Sequence, residues 1–345
     1  MIVNNQPFFS ICITAFNAEQ HIERCLRSIA AQSYESYEVI VIDDGSAIPV
    51  QIPPVYGNRL QSLRVVRQRN SGPYLARKHA FELAKGDYLL SIDSDDELAD
   101  INVLFKLRES LLSGADIVLF NAASDANPIQ RLLNYEELSQ NEIHSFDDVF
   151  PLFLSSSCMN ALWCKAFSKE VYIASKCSPV SSRLIYAEDR LQTFELMTSA
   201  KTYVVLDEIL YKYCDNPDST TNAGFKLDYL EQQLFVESEI VAYSKKHGFS
   251  LDDWSIGFLQ SVLTNIKLLG FNRSLSCKDR KRGYQLVSDS EVYWEAVGIA
   301  ERSHLDIDGR AISFLLRSRL YGFLCLYTVA ISYASRLKHW AQGRA

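Results

Sequence analysis

The stretch "SICITAFNAEQHIERCLRSIAAQSYESYEVIVIDDGS", residues 10–46, decides the fold class. It begins with a short apolar run, continues through a polar and apolar mixture, and ends with a second apolar run that stops at two aspartates. In the middle segment Ile22, Leu26 and Ile29 recur at intervals of four and three residues, which predicts a helix with one buried face. A strand, a helix and a second strand in this order indicate parallel strands joined by a crossover helix.

The same alternation continues to about residue 120, where the further β-type runs are "LRVVRQRN", "DYLLSID" and "ADIVLFNA". Strands that alternate with helices predict a mostly parallel sheet covered on both faces. The pattern loosens between about 121 and 224, and residues 225–345 show long helical patterns without a proline. We therefore predict an α/β domain over residues 1–224, with halves 1–120 and 121–224, followed by a helical appendage over 225–345.

Composition excludes several classes of protein. A net charge of −7 over 345 residues argues against a general nucleic-acid binder. Eight cysteines without a CxxC pair are typical of reduced thiols in a cytoplasmic protein. The N-terminus shows no signal-peptide pattern, and no run of 18 apolar residues predicts an ordinary membrane span. We expect a cytoplasmic location.

Polar residues end three successive predicted strands: Thr14 ends the first, Asp43 and Asp44 the second, and the acidic run at residues 93–96 the third. Ligands of open α/β sheets lie outside the carboxyl ends of the strands, so these side chains are expected to converge. Crowded carboxylates either share a cation or spread into water, for example at the start of a helix. The pattern favours a functional carboxylate site at this edge.

The chain resembles the inverting family 2 glycosyltransferases of the GT-A fold, which occur in bacterial polysaccharide and lipopolysaccharide assembly. Residues 10–46 resemble the opening strand, helix and second strand of that family. The segment "RQRNSGPYLARKHAFELAKGDYLLSIDSDDEL" resembles its next block, with an Asn-x-Gly turn, a helix that contains an arginine, and an Asp-x-Asp element. "LWCKAFSKEVY" and "YAEDRLQTFELM" extend the likeness to about residue 221. The resemblance implies a Rossmann-like, mostly parallel sheet.

The resemblance also implies a nucleotide-sugar site. Thr14 and Asp44 would contact the base, and Asp44 would accept a hydrogen bond from uracil N3–H if the donor is a UDP-sugar. Asp43 would lie beside it, Arg77 near the base or phosphate, and Asp93 toward the ribose. An aspartate pair before a glycine also forms an ordinary turn, so a purely structural role for Asp43 and Asp44 stays open.

By the same resemblance, Asp95 or Asp96 would hold Mn²⁺ or Mg²⁺. A nucleoside diphosphate must leave in the reaction, and a divalent cation with oxygen ligands neutralises its developing charge. The sequence does not decide between the two aspartates.

The catalytic base implied by the resemblance is Asp189 in "YAEDRLQ", with Glu188 as a supporting neighbour. Simple capping of a helix N-terminus is the alternative for this pair. Trp163 and Lys165 are candidates for the acceptor side, although a tryptophan in the core would also fit. Tyr211, Tyr213, Ser219 and Thr220 resemble a flexible segment over the diphosphate.

The expected activity is metal-dependent inverting transfer of a sugar from a nucleotide donor to a saccharide or polyprenyl-linked saccharide. Residues 311–344 combine an uncharged, aromatic-rich stretch with flanking cations. This pattern favours either a buried core helix or a helix on an anionic membrane surface, which would place the protein on the inner face of the cytoplasmic membrane.

Two other functions fit parts of the pattern. One is a transferase-like domain that binds a nucleotide without catalysis. The other is a haloacid-dehalogenase-type phosphatase with an aspartate nucleophile. That phosphatase loop requires Gly-Thr or Gly-Val after Asp-x-Asp, whereas this chain has Asp96 and Glu97.

Overall fold

The computed structural model describes residues 6–57, 60, 62–175, 183–216, 226–272, 274–300 and 306–342, with side chains given except at 57 and 332–342. The chain divides into two compact units. The first contains Met1–Phe153 and Ser157–Pro217, and the second contains Leu154–Ser156 and Asp218–Ala345. The predicted boundary between residues 224 and 225 lies outside the described residues, as do Ser219 and Thr220.

The first unit alternates strands and helices. Its strands are β1 (Phe9–Ala15), β2 (Tyr37–Asp43), β3 (Leu63–Arg67), β4 (Tyr88–Asp93), β5 (Glu97–Leu98), β6 (Ile117–Ser124), β7 (Ile143–Ser145), β8 (Lys165–Ser168) and β9 (Thr202–Tyr213). Its helices are α1 (Ile22–Ala30), α2 (Pro54–Gly57), α3 (Pro73–Leu83), α4 (Val103–Leu111), α5 (Phe146–Ser155), α6 (Lys169–Ala174) and α7 (Glu188–Met197), with a 3₁₀ turn at Ser157–Asn160.

The strands form one mixed sheet in the order β3-β2-β1-β4-β8-β6-β9-β5, and β7 also pairs with β9. Strands β1 to β4 run parallel, as do β6 and β9, whereas β8 is antiparallel to both of its neighbours. The central strands are buried on both faces, as expected for a sheet covered by helices. This architecture confirms the predicted α/β fold class.

Strand β1 lies between β2 and β4, so the strand order reverses beside it. Thr14 on β1 is level with Ile42 on β2 and with Asp93 on β4. A reversal of this kind opens a crevice beyond the carboxyl ends of the strands, where ligands bind in open α/β sheets. The predicted polar residues therefore share one edge of the sheet.

The second unit is helical in its described part. Its helices are α8 (Leu227–His247), α9 (Asp252–Phe271), α10 (Cys277–Ser288), α11 (Glu291–Ile299), α12 (Ile307–Arg317) and α13 (Tyr321–Gln342). The predicted helical C-terminal region is thus confirmed. None of the helices in the described residues has the length and apolar character needed to cross a membrane.

Candidate functional site

Asp43 stabilises the turn after β2. Its carboxylate is buried and accepts hydrogen bonds from the backbone amides of Ser46 (2.9 Å) and Val50 (3.2 Å), and it pairs with Arg67 at 3.4 Å. Burial acts to raise the pKa of Asp43, but these hydrogen bonds and the guanidinium outweigh it and lower the pKa. The structure therefore shows the turn-forming role that the sequence left open for Asp43, and its place in a nucleotide site stays a prediction.

Asp44 faces the loop between β3 and α3. Its two carboxylate oxygens accept from the Gln68 side chain and from the backbone amides of Ser71 and Gly72, each at 2.8 Å. Gly72 has φ = +85°, and a Cβ there would lie 2.9 Å from the Arg183 side chain, so glycine is required at this turn. The predicted Asn-x-Gly turn thus fixes the orientation of Asp44.

Arg77 on α3 connects two parts of the sheet edge. Its side chain is only 6% exposed and forms ion pairs with Asp93 at the end of β4 (3.3 Å), with Glu188 (3.6 Å) and with Asp189. The Gln192 side chain on α7 accepts a further hydrogen bond at 3.4 Å. The guanidinium thus faces three carboxylates, and its expected position near the base or phosphate stays a prediction.

The single positive charge of Arg77 does not fully balance the negative charges of these three carboxylates. Burial raises the pKa of Asp93, and the nearby Asp189 and Asp95 raise it further against the opposing effect of Arg77. Burial and then Asp189 likewise raise the pKa of Glu188. Three carboxylates face one guanidinium, so the cluster carries excess negative charge when all three are ionised. A cation would stabilise this region.

Asp95 and Asp96 differ in their surroundings. Asp96 is buried, and its carboxylate accepts from the Tyr211 hydroxyl (2.7 Å) and the Cys214 amide (2.8 Å). Asp95 is partly exposed and accepts from the Asn216 side chain at 2.8 Å. Both carboxylate oxygens of Asp96 therefore accept hydrogen bonds from within the fold. Of the two predicted metal ligands, Asp95 is the more accessible.

The residues at this edge fit a cation site that the protein completes only in part. In the described portion of the chain no three His, Cys, Asp or Glu side chains form a metal-binding group. Mg²⁺ is commonly bound by one or two carboxylates together with phosphate oxygens and waters. A single carboxylate such as Asp95, in a region of excess negative charge, suits that arrangement.

Glu188 and Asp189 occupy the first turn of α7. The preceding residue, Ala187, has φ = +58°, a left-handed conformation that is strained for a residue with a Cβ. Strained residues of this kind occur often at active sites. The positive end of the helix dipole also stabilises carboxylates in this turn, in addition to their ion pairs with Arg77.

Trp163 stacks on Tyr211, with ring centroids 4.6 Å apart and an angle of 15° between the planes. The Tyr211 hydroxyl bonds to Asp96 and also accepts from the Asp93 amide at 3.2 Å. Trp163 is partly exposed, so it lies at the border between the core and the acidic edge. Its position fits both interpretations that the sequence left open.

Lys165 corrects an expectation. Its side chain is fully buried, and its ammonium group donates to the carbonyl oxygens of Met159 (2.9 Å) and Ala161 and to the Cys164 sulfur (3.3 Å). The charge thus stabilises the 3₁₀ turn before β8. Lys165 has no exposed surface to offer to an acceptor.

Three neighbours of the site were missed in the sequence. Arg24 on α1 donates to the Asp95 carbonyl oxygen, and Asn216 contacts the Asp95 carboxylate. Gln68 contacts Asp44 and is itself held by His79, whose Nδ1 lies 2.6 Å from the Gln68 amide oxygen. None of these has a motif of its own, because each contact joins residues from separate elements or loops.

Known glycosyltransferases are similar to this chain in sequence. A family model described as glycosyl transferase family 2 matches residues 10–171. The uncharacterized glycosyltransferase EpsJ of Bacillus subtilis is 26% identical over 231 residues, which cover 64% of this chain and 64% of EpsJ. The uncharacterized glycosyltransferase YibD of Escherichia coli is 24% identical over 61% of this chain and 62% of YibD. The chain therefore matches somewhat less than two thirds of the length of these relatives.

Among solved structures, S. aureus TarS 1–349 in complex with UDP-GlcNAc is similar, with a TM-score of 0.69 and 20% identity. The match covers 95% of this chain and 91% of that chain. At this level of identity the likeness shows that the two chains share a fold, including the helical C-terminal part.

Proposed function

Because the glycosyl transferase family 2 model matches residues 10–171, we propose that the chain transfers a sugar from a nucleotide donor to an acceptor hydroxyl with inversion. The family match also sets aside the phosphatase alternative. The proposed setting is the synthesis of a bacterial polysaccharide, with a saccharide or a polyprenyl-linked saccharide as acceptor.

The observation that supports this proposal most strongly is the arrangement around Arg77. It joins Asp93, on the side of the sheet edge expected to bind the donor, to Asp189 on α7. Inverting transfer needs the leaving group and the base on opposite faces of the sugar. We propose that Asp93 and Asp189, which share one guanidinium, lie on the donor side and the acceptor side of the bound sugar.

UDP-sugars are the proposed donors. The Asp44 carboxylate accepts three hydrogen bonds and has the capacity to accept one more, for example from a uracil N3–H. A carboxylate fixed in this way discriminates between bases, because a wrong base leaves it unpaired. The similar TarS structures were solved with UDP-GlcNAc and with UDP, which is consistent with this donor class.

Members of this family generally use a divalent metal, and Mn²⁺ or Mg²⁺ is proposed here. Asp95 would hold the ion, which when bound neutralises charge on the leaving diphosphate. Asp93 lies two residues earlier and is proposed to face the ribose. Asp96, tied to Tyr211 and Cys214, would keep this turn in place.

Asp189 is the proposed general base. Its carboxylate would take the proton of the acceptor hydroxyl while that oxygen bonds to the anomeric carbon and the bond to the diphosphate breaks. The ion pair with Arg77 orients Asp189, and Glu188 contributes to the same charge cluster. Trp163 would offer a flat surface to an acceptor sugar.

The test is release of UDP from a panel of UDP-sugars in the presence of Mn²⁺, with and without saccharide acceptors. We expect one donor to be turned over and chelation to stop the reaction. Asp95→Ala should abolish release, whereas Asp253→Ala, an exposed acid at the start of α9, should behave as wild type. Binding of UDP without release from any donor would support the nucleotide-binding module instead.

A further inference from the structure

The first half of α10 is strongly basic. Residues 278–282 contain Lys278, Arg280, Lys281 and Arg282 and a single acid, Asp279. That acid is engaged in a capping box with Ser276, whose hydroxyl lies 2.6 Å from the Asp279 carboxylate.

These cations remain available to a partner. Lys278, Lys281 and Arg282 are exposed and form no ion pair within the described residues. Helices α9 and α13 pack on α10 and contain no acid over residues 254–271 and 321–342. The other helices that pack on α10 do carry acids: Asp228 and Glu231 on α8, Glu291 and Glu295 on α11, and Asp308 on α12. Of these, Glu295 pairs with Lys245 and Asp308 pairs with Lys267. The surface is thus cationic on a chain of net charge −7.

Helix α13 packs antiparallel to α10. The Tyr284 hydroxyl lies 3.0 Å from the Thr328 hydroxyl, and Arg319 pairs with Asp289 at 2.8 Å. Residues with higher numbers on α13 therefore lie beside residues with lower numbers on α10.

The same helix exposes apolar side chains. Phe323 is 65% exposed and Leu326 is 70% exposed, and their spacing of three residues places them on one face. Large apolar groups in water favour an apolar partner. A soluble polyanion would need the cations alone, whereas a lipid surface satisfies both kinds of side chain.

We propose that the start of α10 and the exposed face of α13 together form a docking surface for an anionic lipid bilayer. Lys278, Lys281 and Arg282 contact lipid phosphates, and Phe323 and Leu326 enter the headgroup region. The site on α10 is independent of the proposed transfer reaction, so the two proposals can fail separately.

The experiment is flotation of the full chain with vesicles of phosphatidylcholine alone or with one quarter phosphatidylglycerol. Wild type should float with the anionic vesicles and stay behind with neutral ones. Lys278→Gln, Lys281→Gln and Arg282→Gln together should lower the partition coefficient at least about tenfold. The matched control removes three exposed lysines elsewhere, Lys85, Lys201 and Lys246, and should float as wild type.

The double variant Phe323→Ala and Leu326→Ala tests whether binding needs the apolar side chains as well as the cations. We expect this variant, with a melting temperature close to that of wild type, to lose binding to anionic vesicles as well. Unchanged binding would overturn the proposed entry of Phe323 and Leu326 into the headgroup region. Equal flotation of the α10 variant and its matched control would overturn the proposal altogether.

Discussion

Buried polar groups are balanced differently at two places, one in each unit. In the helical unit two buried pairs are matched: the Trp254 indole donates to Glu237 at 2.8 Å, and Asn265 donates to Gln233 at 2.7 Å. At the sheet edge of the first unit, several carboxylates compete for Arg77. Paired groups stabilise a fold by themselves. An excess of one charge indicates a place that a ligand is expected to complete.

The largest expected effect separates the two neighbouring aspartates. Asp95→Ala should abolish donor turnover and leave the melting temperature nearly unchanged, because Asp95 is partly exposed. Asp96→Ala should lower the melting temperature by several degrees, since it leaves the Tyr211 hydroxyl and Cys214 amide without their acceptor. Thermal unfolding and UDP release measure both. Similar melting temperatures for the two variants would contradict the distinction.

Asp189→Asn should reduce sugar transfer by about 10²- to 10⁴-fold, the usual contribution of a positioned general base. The dissociation constant of UDP, measured by calorimetry, should stay as in wild type. If affinity falls as much as rate, Asp189 belongs to the donor site and Glu188 becomes the better candidate for the base.

Arg77→Met tests the shared guanidinium. Removing the cation leaves three partly buried carboxylates facing one another, so the free energy of unfolding should fall by about 3–5 kcal/mol. Urea denaturation measures this loss. The control is Arg27→Met, an exposed arginine paired with Glu23, for which a change within about 1 kcal/mol is expected. Equal losses would show that Arg77 is an ordinary surface pair.

Glu188→Gln should change the pH dependence of stability. Burial and Asp189 raise the pKa of Glu188 to about 7 from 4.5, so the unfolded chain releases this proton at a lower pH than the folded protein. Wild type therefore loses stability between pH 4.5 and 7, and the glutamine variant should lose less. Melting curves should place the variant about 2–4 °C higher relative to wild type at pH 8 than at pH 5. A pH-independent difference would contradict the charge excess.

The smallest effect is expected in the helical unit. Glu237→Gln retains an oxygen that can accept the Trp254 N–H, so the free energy of unfolding should fall by only about 1 kcal/mol. Urea denaturation of this variant beside Arg77→Met measures the contrast directly. A loss as large as that of Arg77→Met would remove the difference between the two units.

The sheet was predictable because its signals are local. Strands β1, β2 and β4 are short apolar runs buried on both faces, and the crossover helices fix their direction. The shared edge follows from this direction. Thr14, Asp44 and Asp93 were therefore expected at one edge, and the structure places all three there.

The contacts of individual side chains were less predictable. Asp43 and Asp44 are adjacent in sequence, but one binds its own turn and the other binds the loop before α3. Lys165 is buried because a turn six residues earlier presents carbonyl oxygens to it. Arg77 meets a helix more than a hundred residues away. Such contacts depend on how loops pack, which a single sequence does not encode locally.

The position of β9 has a consequence for synthesis on the ribosome. This strand pairs with β5, β6 and β7, although it is the last strand of the sheet to be made. Strand β6 is complete at Ser124, and Tyr213 follows about 90 residues later. At the usual elongation rate of about 5–20 residues per second, this is a delay of roughly 4–18 s. During that time β6 presents an open edge, and a nascent chain stalled before Tyr213 exposes a template for pairing with other strands.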